Sequence, residues 1–318
     1  RLRKKLKPIH GLEIRTVRGL GYSLVLPVPH PAEGVIPTLA DPELHETMRA
    51  LFSKYQLYGQ GRSMLTLARQ QDVLGYQLDP FYSEYIQFVQ GDLDWLLNKS
   101  EAPLRDRLFY LLVFFCLTKS PEQTLQVCER VLALKLLPPP YHREMEILTI
   151  LDVYTLAGEP NKALERVSFS YRVIAELKYE SFIPQITIAE MLAHVVAGSP
   201  EPQIAKLADA VENGMLNEKP FLREIGSYRV VKGLWLQRKG ESTEAEKQLD
   251  EGLTVLERSG FVPLRLHSLY RIVNVFAMFP PPLALQQKYL ELYNMELDRI
   301  GATRLSAALD AVIREQLG

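Results

Sequence analysis

From residue 43 to the C-terminus, apolar residues recur at spacings of three and four, and the pattern breaks at Gly and Pro. That periodicity predicts a long succession of amphipathic helices, about fourteen of them, and no strand. Ahead of them, residues 25–42 contain five prolines and no helical period, which predicts an extended linker over 27–42. At the front of the chain Arg1, Lys4 and Lys5 fall at helical spacing on one side and Leu2 and Leu6 on another, predicting a short basic helix. Two β-rich runs follow, Ile14–Val17 and Tyr22–Val25, joined by Arg-Gly-Leu-Gly, the pattern of a hairpin. The chain thus divides into a front of residues 1–26, a linker of 27–42 and a helical body of 43–318.

The helical body repeats. Residues 147–173 and 230–256 align with Gly158 on Gly240, Ala163 on Ala245, Val167 on Leu249 and Ser170 on Gly252. Gly198 takes the same turn position in a weaker unit between them, and Lys119 and Phe279 mark turns one unit out on either side. In each unit a tight or left-handed turn ends the first helix, and a Pro or Ser starts the second. Small residues at 163 and 245 let paired helices approach closely. A single pair cannot cover its own apolar face, so the units stack. Tyr154-x-x-x-Gly158 followed by Ala163 resembles the tetratricopeptide repeat, although the period of about 40 exceeds that repeat's 34. The expected architecture is mainly α: an α-solenoid of tetratricopeptide-like helix pairs, with a generic helical array as the other reading. Residues 42–100 fit the register least well and are expected to form a separate helical cap.

Charge changes the picture only at the front. The whole chain carries a formal charge of −1, yet residues 1–22 hold seven basic side chains against Glu13 alone. A basic head on an acidic body points to an anionic partner for the head. Two cysteines, Cys116 and Cys128, are too few for a disulfide framework and read as buried thiols of a reducing compartment, with a redox pair as the second reading. The longest strongly apolar run, Leu108–Leu117, is too short to cross a bilayer, and the basic start is not followed by a signal-peptide core. The expected location is the cytoplasm, with no membrane partner.

The basic stretch RLRKKL followed by Thr16-Val17-Arg18-Gly19-Leu20-Gly21-Tyr22 closely resembles the end of the OmpR/PhoB-type winged-helix DNA-binding domain, where the last helix carries an Arg-Leu-Arg-Lys run and the wing a T-V-R-G-x-G-Y string. The resemblance implies that Arg1, Arg3 and Lys4 lie on the recognition helix and touch DNA. It also implies that Arg15, Arg18 and Gly19 belong to the wing, with Arg18 reaching into the minor groove. It covers only residues 1–26: the family's earlier strands and helices have no counterpart in this chain, so the sequence is expected to be a fragment of a longer protein. The combination with a helical-repeat body is similar to SARP-type and virulence-activator regulators, although the SARP activator domain has no clear match after Pro42.

Enzyme chemistry finds little purchase. The six histidines lack metal-ligand spacing, and no phosphate-cradling or nucleophile-elbow motif is present. Carboxylates such as Glu144, Glu146 and Asp152 follow helical faces and read as solvated surface. No catalytic residue, metal or cofactor is assigned. Polar and aromatic residues on the first helices of the pairs include Tyr110, Tyr141, Arg143 and His267. Among them, Tyr228, Arg229, Lys232, Trp235, Tyr270 and Arg271 form a candidate groove for a peptide or a small anionic effector. The function expected is that of a DNA-binding transcriptional regulator with double-stranded promoter DNA as partner. Its helical body would serve oligomerisation into a homo-oligomer, effector sensing or contact with RNA polymerase. The alternative is a helical-repeat scaffold for a protein or peptide with no role at DNA.

Overall fold

The computed structural model describes residues 13–17, 21–25, 37–218 and 221–317. The protein is mainly α. The basic helix expected at the front, with Arg1, Arg3 and Lys4, lies outside the described residues, as do Arg18, Gly19 and most of the linker. Two strands, β1 (Glu13–Val17) and β2 (Gly21–Val25), pair antiparallel with Thr16 opposite Tyr22 and Arg15 opposite Ser23. A two-stranded ribbon is a local element, and the described residues form no winged-helix domain around it. A 3₁₀ turn at Pro37–Ala40 replaces the end of the expected extended linker.

The body begins with α1 (Pro42–Tyr58), α2 (Gly61–Arg69), α3 (Pro80–Gln90) and α4 (Leu93–Asn98). Helix pairs follow. Helix α5 (Leu104–Leu117) is answered by α6 (Pro121–Leu134), whose Ser120 and Gln123 form a capping box. Helix α7 runs Pro139–Glu144, passes through a π-helical turn at Met145–Thr149 and continues over Ile150–Leu156; its partner is α8 (Pro160–Leu177). Helix α9 (Ile183–Ala197) pairs with α10 (Glu201–Asp209), which runs on through a second π-helical turn, Ala210–Met215. Then come α11 (Leu222–Arg238) with α12 (Ser242–Ser259), α13 (Val262–Met278) with α14 (Leu283–Arg299), and a last helix, α15 (Ala302–Leu317). The turns sit where the repeat placed them. Gly158, Gly198 and Gly240 have φ of 80°, 69° and 83°, values that an L-residue with a Cβ adopts at a cost.

Pairing is closest between α11 and α12. A Cβ on Gly252 would stand 2.8 Å from the Gly226 carbonyl oxygen and 3.0 Å from the Val230 nitrogen, so the two helices touch backbone to backbone. Ala163 and Ala245, aligned in the repeat, are both fully buried.

The pairs do not stack along an open line. Helix α13 touches α3 and α5, and α15 touches α4 and α5, so the C-terminal pairs return to the first ones. The rings of Phe88 and Phe261 meet edge-on at 6.0 Å. Residues 42–100, expected as a separate cap, instead contribute Phe52, Met64, Tyr76 and Phe88 to a core that extends continuously to Ile313. A smaller cluster of Ile147, Leu151, Val167, Ile174 and Ile186 fills the space between α7, α8 and α9. No helix among the described residues is long and apolar enough to cross a membrane.

Candidate functional site

Because the array closes, the first helices of the pairs turn their inner faces toward one another and leave a cavity of about 220 Å³. Helix α5 supplies Phe109, Leu112, Val113 and Cys116, and α7 supplies Glu144, Met145, Leu148, Thr149 and Asp152. Opposite them stand Gln185 and Ile188 of α9, Arg223, Glu224 and Ser227 of α11, and Leu264, His267, Tyr270 and Arg271 of α13. Phe88 and Phe261 separate this space from a second compartment of about 290 Å³, walled by Phe81, Tyr85, Tyr110 and Tyr141. Glu144, Gln185 and Arg223 line both compartments.

One side of the cavity is a charged network. Arg271 Nε donates to Asp152 Oδ2 at 3.1 Å, its Nη2 reaches the same oxygen, and its Nη1 donates to Ser227 Oγ at 2.6 Å. Asp152 and Arg271 are each only 4% exposed. His267 Nε2 lies 3.5 Å from Asp152 Oδ2. Burial pulls the His267 pKa down to about 4, reinforced by the Arg271 charge and opposed by Asp152. The imidazole is therefore neutral at physiological pH.

The neighbouring network centres on Glu224, whose Oε1 accepts from Gln185 Nε2 at 2.7 Å and lies 3.6 Å from Arg223 Nη2. Arg223 also donates to the Leu57 carbonyl at 3.2 Å and lies over the Phe261 ring, 5.6 Å from its centroid. Glu144 carries the mark of a carboxyl removed from water. Burial pushes its pKa up to about 7, against the pull of Arg223. The remaining walls are apolar, so these charges act in a medium of low dielectric.

Not every polar atom here is satisfied. Asp152 Oδ1, Glu224 Oε2 and Arg223 Nε are buried without a hydrogen-bond partner. Such groups are rare in folded proteins, because each forfeits the hydrogen bonds it made to water.

The residues singled out from sequence fall into two sets. Tyr270 and Arg271 line the cavity, Tyr110 and Tyr141 line its second compartment, and His267 joins the charged network. Tyr228, Arg229, Lys232 and Trp235 do not line either space. Tyr228 is buried and donates to Glu212 Oε2 at 2.9 Å, Arg229 pairs with Glu251, Lys232 pairs with Glu212 at 2.8 Å, and the Lys239 ammonium sits over the Trp235 ring. Tyr228-Arg229 and Tyr270-Arg271 occupy matching slots in the repeat but serve different neighbours. Glu144 and Asp152, read from their helical faces as solvated surface, are instead cavity residues. The π-helical turn between them breaks the register on which that reading relied. Sequence reasoning also missed Glu224 and Ser227, which sit one turn apart on the inner face of α11.

Of the residues tied to DNA by resemblance, Arg15 lies on β1; Arg1, Arg3, Lys4, Arg18 and Gly19 are outside the described residues. Among the described residues no group of three or more His, Cys, Asp or Glu side chains is gathered to hold a metal ion. Cys116 and Cys128 bring their sulfurs to 3.7 Å beside the cavity and are free thiols. No family model, no curated protein and no solved structure matches this chain.

Proposed function

We propose that the protein is a cytoplasmic DNA-binding transcriptional regulator whose helical body, a tetratricopeptide-like superhelix, senses a small molecule. Two features support this reading. The T-V-R-G-L-G-Y string at Thr16–Tyr22 behind a basic stretch supports a wing at DNA. The observation that carries the sensor role is the cavity itself, bounded by α5 and α7 on one side and α11 and α13 on the other. A ligand there touches helices from both halves of the body at once, so it favours whichever arrangement of those halves binds it better. A cleft between helices with apolar walls and a few polar groups is what small-molecule sites commonly present. A scaffold for extended peptides would instead present its polar side chains along an open face.

The test is promoter binding by the full-length protein at two salt concentrations, wild type against Arg18→Ala. A regulator binds its own promoter region specifically, loses affinity steeply with salt, and weakens roughly tenfold or more in the variant. Absence of binding to any promoter fragment by a folded protein would remove the DNA role and leave the helical scaffold.

A further inference from the structure

The two compartments of the cavity meet at Glu144 of α7, Gln185 of α9 and Arg223 of α11, the polar residues that line both. The Arg223 side chain is 17% exposed. Its Nε is sealed from the cavity, and its Nη2 donates to the Leu57 carbonyl at 3.2 Å and stands 3.6 Å from Glu224 Oε1. The N–H pair on Nη1 has no partner among the described residues and is not sealed. Glu144 is half-buried; neither of its oxygens accepts a hydrogen bond or joins an ion pair among the described residues, and neither is sealed. Gln185 spends Nε2 on Glu224 and leaves Oε1 open to accept. Glu144 and Arg223 act on each other without touching. Burial pushes Glu144 up to about 7 against the pull of Arg223. Burial also lowers the Arg223 pKa, and Glu224 and Glu144 are among the charges that raise it. The junction is thus a gap between an open acceptor and an open donor of opposite charge.

What fills such a gap best carries both signs. Glu224 already balances the Arg223 charge, so a simple anion would meet Glu144 as an uncompensated neighbour. A simple amine would satisfy Glu144 and set its own charge against the unmatched Nη1 donors. An ammonium and a carboxylate on one carbon answer both sides: N–H donors for Glu144 and Gln185 Oε1, and acceptor oxygens for Nη1. They also bring no net charge into a medium of low dielectric. Beside the junction the walls are hydrocarbon and ring, Phe109, Leu112, Val113 and Leu148. An apolar cavity of about 150 Å³ holds a benzene ring, so about 220 Å³ takes a side chain of that size.

We propose that the cavity binds a free α-amino acid with a large apolar side chain, its ammonium on Glu144 and Gln185, its carboxylate on Arg223 Nη1, and its side chain along Phe109, Leu112 and Leu148. The proposal rests on the sensor reading of the helical body and is tested without DNA. Calorimetric titration of the whole chain at pH 8 compares three probes that share a phenyl body and differ in head: L-phenylalanine, 2-phenylethylamine and 3-phenylpropionate. Phenylalanine binds at least tenfold tighter than either of the others. Glu144→Gln, which breaks no hydrogen bond within the protein, cuts phenylalanine affinity at least tenfold and does not weaken phenylpropionate. Arg223→Lys, which keeps a positive charge beside Glu224, weakens phenylalanine and spares phenylethylamine. Either single-headed probe binding as tightly as phenylalanine would overturn the amino-acid assignment while leaving the cavity a ligand site and the sensor reading in place. Binding of none of the three to the folded protein would overturn the assignment, and would take the sensor reading with it if Val113→Phe, which fills the cavity, also left promoter binding unchanged.

Discussion

Arg271 and Asp152, 119 residues apart in the chain, share a buried ion pair in which Arg271 Nε donates to Asp152 Oδ2 at 3.1 Å. The pair joins α13 to α7 at one side of the cavity and is the polar counterpart of the aromatic contact between Phe88 and Phe261. Its value to stability lies in not being half-made. Removing one partner strands a charge in low dielectric, whereas removing both need not. Arg271→Met is therefore expected to cost about 3–5 kcal/mol, and Asp152→Leu with Arg271→Met to recover much of that loss. Urea unfolding midpoints of the two variants and their combination measure it. If the double variant is as unstable as the single one, the pair acts through packing and not through charge.

The close contact of α11 with α12 gives a second expectation. Gly226→Ala would place a Cβ 2.5 Å from Leu256 Cγ and 3.0 Å from the Gly252 carbonyl oxygen. The helices must separate, and the loss is expected to be about 1–3 kcal/mol. Gly214, also in a helical segment, has nothing within 4 Å of an added Cβ. Gly214→Ala is then neutral or stabilising by up to about 1 kcal/mol, through helix propensity and a less flexible unfolded chain. Thermal midpoints of the two variants moving together would contradict the contact.

How much of this was legible beforehand follows from which signals are local. Turns and helix starts are local, and Gly158, Gly198, Gly240 and Ser120 stand where the repeat implied. Ala163 and Ala245 are buried as small residues at a close helix contact should be. Closure of the array is not local. Nothing near Phe88 in the sequence announces Phe261, so residues 42–100 read as a cap of their own. The site suffered doubly. Asp152 pairs with a residue 119 positions away, and the π-helical turn at Met145–Thr149 shifts the faces on which Glu144 and Asp152 seemed to lie. Tyr270-Arg271 was recovered as part of a recurring dipeptide, but recurrence alone equated it with Tyr228-Arg229, which packs against Glu212 and Glu251 instead.

The two cysteines read as inert thiols, and their geometry makes that testable. Cys116 and Cys128 lie 3.7 Å apart at sulfur, and the Cys116 thiol is pushed well above its usual range, first by its hydrogen bond with Cys128 and then by burial. Thiolate is the reactive form, which slows Cys116, and Cys128 is fully buried from reagent, so both groups should react with a disulfide reagent at pH 8 at least tenfold more slowly in the folded protein than in urea. Fast reaction of the folded chain, ending in a Cys116–Cys128 disulfide, would restore the redox reading.

Acid–base behaviour of the cavity separates two groups with opposite signs. His267 has its pKa lowered from 6.5 to about 4, so between those values the unfolded chain holds more protons and stability rises with pH. Glu144 has its pKa raised from 4.5 to about 7. In that window the folded protein holds more protons, and stability falls as pH rises. The windows overlap between about 4.5 and 6.5, where the two contributions oppose each other and flatten the profile of the wild type. His267→Gln removes the rising part, so its stability should fall from pH 5 to pH 7. Glu144→Gln removes the falling part, so its stability should rise over the same range. Each slope is expected to span on the order of 1–2 kcal/mol, below the full linkage value because both side chains keep some contact with solvent. Urea denaturation at pH 5, 6 and 7 reads both signs at once. Parallel profiles for the two variants would mean that neither group is shifted by the cavity, and that its charges are better solvated than the packing around Asp152 and Glu224 implies.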